Sequence, residues 1–194
     1  MPLTRTERKL LTDVRKVAEL ARLDHWNIEA YDPEARATYL RLMMNQIVRS
    51  EILMKYVLID EFLSVIICHT YFRKPKQGFS FKSLWRTKRF QAFNYFVLEQ
   101  MSLRNKLALV NHARKVPSKI RKHIDRLNGL RNAIAHSFFP ENKRDYRPHG
   151  KVIYGGFDIF SAEGLTKFLD DCYEAIDYLE RRAFGFSLKW QPSV

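Results

Sequence analysis

The sequence predicts an all-α fold, a helical bundle with one small β-hairpin before its last helix. Over most of the chain, apolar residues recur at the three- and four-residue spacing of helices. Capping residues and prolines divide these stretches from one another. Residues 151–160 differ, because two short β-rich runs there flank a Gly-Gly pair. The 194 residues, 46% of them hydrophobic, suit a single domain over residues 1–194 with a sizeable core.

Each predicted helix has its own start or stop signal. The predicted helices cover about residues 4–21, 33–71, 81–100, 102–115, 118–138 and 161–184. Asp32-Pro33 is an N-cap followed by proline at the first helical position. The later half of that second helix is apolar nearly all round, as expected of the central helix of a bundle. The third carries Phe93, Phe96 and Val97, and Pro140 ends the fifth.

The net charge of +13 is concentrated in the middle of the chain. Residues 70–151 hold 20 Lys/Arg against 4 Asp/Glu, whereas residues 1–69 are balanced and residues 152–194 have a net charge of −3. Such a concentration favours polyanionic partners, with nucleic acid first and anionic lipid second. A basic protein with solvated lysines is the alternative.

Cysteine usage and hydropathy indicate a soluble, cytoplasmic protein. Cys68 and Cys172 lie within helical apolar patterns without Cys-x-x-Cys or Cys/His spacing, which predicts buried thiols and no metal site. The first 16 residues mix charges with apolar residues, unlike a signal peptide. The most apolar run, residues 52–68, contains three charges, so we expect a buried helix there and no membrane span.

Arg131 interrupts the apolar stripe of the fifth predicted helix. The other members of the stripe follow a four-three spacing: Ile120, Ile124, Leu127, Ile134 and Phe138. At about 100° per residue, Arg131 points within about 20° of Ile120 and Phe138, into the middle of the stripe. A guanidinium cannot lose its charge, and burying it unpaired is costly. We therefore expect an acidic partner, either a carboxylate of this protein or an external phosphate.

The segment that begins with this arginine reads Arg-Asn-Ala-Ile-Ala-His, from Arg131 to His136. It resembles the Arg-x4-His signature of the HEPN superfamily, including the asparagine that often follows the arginine, here Asn132. The predicted helical bundle, with the motif late in the chain and a further helix after it, agrees with this resemblance over roughly residues 33–184.

The resemblance implies a homodimer, in which two such helices face each other around one cleft. It also implies a metal-independent endoribonuclease without a cofactor, of the kind found among toxins and antiphage effectors, with a cognate antitoxin protein as partner. The residue types suit RNA cleavage. His136 can act on the ribose 2′-OH or the leaving oxygen near neutral pH. Arg131 can stabilise the crowded phosphate with its planar fork, and Asn132 can orient His136 or the backbone.

Helix geometry complicates this assignment. On a straight helix, His136 lies roughly 140° around the axis from Arg131, whereas Asn132 and His136 share a face. A bend near the helix end, the reach of the long arginine, or a site composed across a dimer interface would each bring them together. The composite dimeric site agrees best with the family.

In a purely structural alternative, Arg131 pairs with a carboxylate of the central helix. Asp60 and Glu61 lie in an apolar run where acids rarely occur unpaired. Because HEPN proteins often carry a polar residue on an earlier helix that supports the motif, Glu61 is also our candidate supporting catalytic residue, ahead of Asp60 and Glu51.

Several cations are candidate RNA-binding residues. Those in the basic and aromatic stretch and those leading into the motif helix are Lys82, Arg86, Lys88, Arg89, Lys119 and Lys122. They can follow a phosphate backbone while neighbouring aromatics stack on bases. Two other functional classes are open: a non-catalytic HEPN-like RNA-binding or regulatory module, and a protein-interaction bundle whose positive face meets an acidic partner.

Overall fold

The structure, a computed structural model, describes Arg5, residues 32–72 and 86–135, Pro140, Arg144 and residues 150–184. The chain divides into two compact units, Met1–Ile47 and Val48–Val194. The described residues are mostly helical, with one small two-stranded antiparallel hairpin. The prediction of a helical bundle class with a hairpin is therefore correct. The helix predicted over residues 4–21 lies outside the described residues.

The long helix α1, Pro33–Tyr71, has the predicted bounds. The carbonyl of Asp32 accepts the backbone N–H groups of Ala35 and Arg36, which begins the helix at the expected cap. From Val48 onward the helix contributes the largest share of the core of the second unit, through its buried aliphatic residues. In this unit α1 is thus the central helix that its apolar sequence predicts.

The third predicted helix differs from the expectation. Helix α2 is short, Lys88–Phe93, and continues into a π-helical turn, Asn94–Leu98. Thr87 is extended, and its side chain accepts the N–H of Phe90, so the helix begins at residue 88. Residues 81–85 lie outside the described residues.

The π-helical turn changes which side chains face the core. It inserts one extra residue per turn, so Leu98 is buried while Phe96 and Val97 are exposed. Phe93, by contrast, packs against the core.

Helices α3, Leu103–Ala113, and α4, Ser118–Ala135, follow. The Ser102 side chain caps α3, and the side-chain oxygen of Asn111 accepts the N–H of Val116 in the connection. Helix α4 packs against α3 and against the last helix. The prediction extends this motif helix to residue 138, and its last three residues lie outside the described residues.

The predicted hairpin and last helix are both present. Strand β1, Ile153–Tyr154, pairs antiparallel with β2, Phe157–Asp158, through Gly155 and Gly156, which have positive φ. Helix α5, Ala162–Phe184, begins at Ser161, whose hydroxyl oxygen accepts the N–H of Gly164. The helix packs against α4 and the hairpin and buries Phe168, Cys172, Ile176 and Leu179.

The core of the second unit is continuous. It joins the inner faces of α1, α3, α4 and α5 with Val152, Tyr154 and Ile159 around the hairpin. Both cysteines are buried free thiols, as predicted. Of the helices that the structure describes, none has the length and apolar character needed to cross a membrane.

Candidate functional site

Arg131 lies in the last turns of α4, in the gap of the stripe that the sequence predicts. Ile120, Ile124, Leu127 and Ile134 are all buried, whereas Arg131 is half-buried. The long side chain therefore takes part in the inner face of α4 while its guanidinium reaches the edge of the core.

The contacts of the Arg131 guanidinium are aromatic and neutral. Its Cζ lies 4.9 Å from the ring centroid of Tyr56 on α1, a cation–π distance. Its Nη1 donates to the side-chain oxygen of Asn132 at 3.1 Å. Its Nε is buried and has no hydrogen-bond partner among the described residues. Over the same residues Arg131 forms no ion pair, so no carboxylate there neutralises its charge.

The acids that were candidates to meet Arg131 lie elsewhere. Asp60 accepts a hydrogen bond from Lys106 at 2.6 Å. Glu51 lies 3.5 Å from Lys55 on its own helix. Glu61 is exposed and forms no ion pair with any described residue. The structural alternative, in which one of these carboxylates holds Arg131, therefore lacks its ion pair in the described part of the chain.

A second arginine, Arg49 on α1, contacts the same end of α4. Its Nη1 donates to the carbonyl of Ile134 at 2.7 Å, which satisfies one of the carbonyls left without a partner at a helix end. Arg49 is not among the predicted site residues, although the sequence contains a signal for it. It begins the three-four-three spacing completed by Ile52, Tyr56 and Ile59, so it occupies an apolar position just as Arg131 does.

The structure describes only some of the other predicted site residues. Asn132 is exposed beside Arg131, while His136 and Lys82 lie outside the described residues. Of the predicted RNA-binding cations, Arg86, Lys88, Arg89, Lys119 and Lys122 are all exposed. Lys119 differs from the others because it forms an ion pair with Glu174 at 2.7 Å.

A buried polar cluster between α4, α5 and the hairpin is absent from the sequence-based candidates. The His123 ring lies 3.2 Å from the carboxylate of Asp171 and 3.3 Å from that of Glu174, without hydrogen-bond geometry to either. Tyr154 donates to Asp171 at 3.1 Å, and Lys167 donates to its other oxygen. His123 and Asp171 lie next to the stripe residues Ile124 and Cys172, so helical spacing shows no missing apolar position that could have found this cluster.

This cluster keeps its carboxylates charged. Burial raises the pKa of Asp171, but the hydrogen bond from Lys167, the His123 ring and the Tyr154 hydroxyl outweigh it and leave that pKa below the usual range. The hydrogen bond from Lys119 lowers the pKa of Glu174. Burial, with Asp171 nearby, raises the pKa of Tyr154, so its hydroxyl is a proton donor in this cluster.

The cysteines are poor nucleophiles in these surroundings. Burial raises the pKa of Cys68 to about 11 and also raises that of Cys172. Among the described residues, no group of three or more His, Cys, Asp or Glu side chains is arranged to hold a metal ion. At the α1–α4 contact, the structure places the Arg131 guanidinium over the ring of Tyr56.

Comparisons with protein-family models, with curated proteins and with solved structures find no significant match for this chain. The basis for a functional assignment is therefore the chemistry of the residues themselves and the six-residue motif.

Proposed function

We propose that this protein is a metal-independent endoribonuclease of HEPN type that acts as a homodimer. In this proposal Arg131 binds and stabilises the scissile phosphate, and His136 acts on the 2′-OH or the leaving oxygen. Asn132 orients the histidine or the backbone. Glu61, on the neighbouring helix, forms no ion pair with Arg131. In this proposal it contacts the substrate directly.

One observation carries the proposal: the half-buried Arg131 has no carboxylate partner among the described residues. If Arg131 formed a buried ion pair with a carboxylate, a structural role alone would explain its position. Instead, the guanidinium rests on a neutral ring and leaves Nε–H without an acceptor. An RNA phosphate supplies the missing negative charge and the missing acceptor together.

The charge distribution supports the same substrate. Exposed cations on α2 and α4 lie within the strongly basic residues 70–151. They would attract the phosphate backbone of RNA whatever its base sequence.

The direct test is RNA cleavage by the purified protein in EDTA. We expect cleavage that falls at least about 100-fold in His136→Ala and in Arg131→Ala, because each removes a group acting in the transition state. His112→Ala is the matched control, since His112 is an exposed histidine at the end of α3. Absence of cleavage, or equal rates in the wild type and His136→Ala, would refute the assignment.

The proposed biological setting is that of a cytoplasmic toxin or antiphage defence effector with a cognate antitoxin protein. Expression of the wild type in bacteria should then arrest growth, and His136→Ala should relieve the arrest at equal protein level. Growth arrest by both proteins would point to a cause other than RNA cleavage.

A second candidate is a non-catalytic HEPN-like RNA-binding or regulatory module. It is favoured by the π-helical turn, which exposes Tyr95 and Phe96 beside the cations of α2. Aromatics among cations bind single strands without any chemistry. RNA binding that survives in Arg131→Ala, together with no cleavage by the wild type, would support this module over the enzyme.

A further inference from the structure

A cavity of about 480 Å³ adjoins the Arg131 site. Its walls come from α1, α2, the π-helical turn and α3 of the second unit. Tyr56 belongs to both sites, because it lines this cavity and its ring also makes the cation–π contact with Arg131. A ligand in the cavity would therefore lie next to a phosphate held by Arg131.

The lining of the cavity is acidic, although the protein is basic. Asp60, Glu61 and Glu99 contribute carboxylates, against one cation, Lys106. Lys106 neutralises Asp60 at 2.6 Å, and Glu99 accepts the Asn94 amide at 2.6 Å. Glu61 is exposed and forms no ion pair within the described residues, so its carboxylate is available to a ligand. Such a cavity repels phosphate and favours N–H donors.

The rest of the cavity is lined mainly by apolar side chains. Val65, Phe90, Leu98 and Met101 provide hydrophobic side chains, and Tyr56 provides an aromatic one. A volume of a few hundred Å³ with an apolar lining and a few polar groups is typical of small-ligand sites. One wall is the π-helical turn, a feature found frequently at functional sites.

From this juxtaposition we infer that the cavity binds the guanine base of the RNA substrate, with Glu61 accepting its N1–H and N2–H groups. The inference rests on the proposed ribonuclease function. It assigns to the enzyme a preference for guanine at the nucleotide adjoining the phosphate on Arg131.

Guanine is the base whose edge fits a carboxylate. Its Watson–Crick edge presents two neighbouring donors, N1–H and the N2 amino group, which one carboxylate can accept together. The corresponding edges of adenine and cytosine place an acceptor beside the amino group, and uracil flanks its single donor with two carbonyls. Each of these would bring a lone pair against Glu61, which is a repulsive contact.

The test uses nucleosides, which carry no phosphate and so do not depend on Arg131. Calorimetric titration of the full chain should show guanosine binding, with inosine about tenfold weaker because it lacks the N2 amino group, and adenosine weaker still. Glu61→Gln should lower guanosine affinity about tenfold. Glu163→Gln, an exposed glutamate in the first turn of α5 outside the cavity lining, is the matched control and should bind as the wild type does.

Three outcomes would overturn the inference. Equal affinity for guanosine and adenosine would show that no base is selected. Unchanged guanosine binding in Glu61→Gln would remove the proposed acceptor. Binding of agmatine in preference to guanosine would assign the carboxylates to a cationic ligand such as an arginine side chain. Circular dichroism of each variant checks folding, which the exposure of Glu61 should preserve.

Cleavage-site mapping separates this inference from the proposed function. RNA cut without base preference, with no guanosine binding, would refute the guanine site and leave the ribonuclease intact. Guanosine binding without any RNA cleavage would refute the ribonuclease and leave the guanine site intact. Cleavage enriched at guanine in the wild type, with the enrichment lost in Glu61→Gln, is the result that we expect.

Discussion

Two arginines occupy apolar stripe positions at the contact of α1 and α4, and the protein accommodates them differently. Arg49 donates to a main-chain carbonyl at the end of α4. Arg131 rests on the Tyr56 ring and keeps a buried Nε–H without an acceptor in the described residues. Among the described residues, no carboxylate forms an ion pair with Arg131, so its charge at the α1–α4 contact faces a neutral ring.

The stability of an Arg131 variant distinguishes a site residue from a structural one. Arg131→Gln should lower the free energy of unfolding by no more than about 1.5 kcal/mol, because it removes a cation–π contact, an exposed hydrogen bond to Asn132 and some packing. Lys106→Gln is the comparison, since it leaves Asp60 without its buried partner and should cost about 3 kcal/mol. Urea unfolding measures both. A larger loss for Arg131→Gln than for Lys106→Gln would indicate a structural role for Arg131.

Asp171 gives the protein a defined acid sensitivity. Its pKa in the folded state lies below the usual 3.8, so the unfolded state binds more protons between these two pKa values. The stabilisation from this carboxylate is complete above the unfolded pKa and is lost as pH falls through the folded pKa. Asp171→Asn should be less stable than the wild type at neutral pH and should lose less stability on acidification below about pH 4.

Tyr154→Phe refines this measurement. Removing the hydroxyl that donates to Asp171 should raise the folded pKa of Asp171 and move the loss of stability to higher pH. Urea unfolding over a pH series gives the free energy of unfolding against pH for the wild type, Asp171→Asn and Tyr154→Phe. Parallel curves for the wild type and both variants would show that Asp171 does not control acid stability.

At the residue scale, the sequence predicted that Arg131 interrupts the apolar stripe of α4 but not which side chains surround it. The stripe around Arg131 follows from helical spacing alone, and its described members, Ile120, Ile124, Leu127 and Ile134, are buried as expected. The partner of each acid could not be predicted, because it depends on which helices become neighbours. Asp60 meets Lys106 from α3, 46 positions away in the chain. Arg49 and the His123–Asp171 contact were not predicted, although Arg49 occupies an apolar position just as Arg131 does.

At the scale of elements, local signals located most helix ends. Caps at Ser102, Ser161 and the Asp32-Pro33 pair agree with the described helices, because capping depends on a few adjacent residues. The π-helical turn could not be predicted in this way. It inserts one residue into an otherwise helical pattern, and only packing of Leu98 into the core selects it.

Two glycines of the second unit should respond oppositely to alanine. At Gly164, in the first turn of α5, an added Cβ would lie 1.9 Å from the carbonyl oxygen of Asp158, so helix and hairpin must separate. At Gly129, on an exposed position of α4, an added Cβ meets nothing within 4 Å. Thermal and urea unfolding should show Gly164→Ala destabilised by more than about 2 kcal/mol. Gly129→Ala should be stabilised by about 0.5–1 kcal/mol.

These two variants test how closely α5 approaches the hairpin. Equal stabilities for Gly164→Ala and Gly129→Ala would mean that the close contact of Gly164 with Asp158 does not exist in solution. The comparison is matched, because both changes add one methyl group at a helical position.

At the scale of the whole molecule, positive and negative charges are concentrated in different places. Residues 70–151 hold the excess of positive charge, and three carboxylates line the cavity that includes Tyr56. The charge excess could be predicted from sequence by counting. The acidic cavity could not, because its carboxylates come from α1 and from the end of the π-helical turn.

RNA binding should depend steeply on salt. The logarithm of the association constant should fall linearly with the logarithm of salt concentration, and Lys122→Ala should reduce the slope by about 1. Lys119→Ala should change it less, because Lys119 is already paired with Glu174. Fluorescence anisotropy with a labelled RNA gives both slopes. Salt-independent affinity would exclude a backbone-directed interface.

The most direct measurement is the NMR signal of the Arg131 Nε–H group during titration with a 2′-O-methyl RNA that cannot be cleaved. The signal is assigned by its loss in Arg131→Lys. Because this N–H is buried without an acceptor in the described residues, a bound phosphate should move its proton resonance downfield in step with RNA saturation. An Nε–H signal that stays unchanged while the RNA saturates the protein would contradict the role of Arg131 as the phosphate-binding residue.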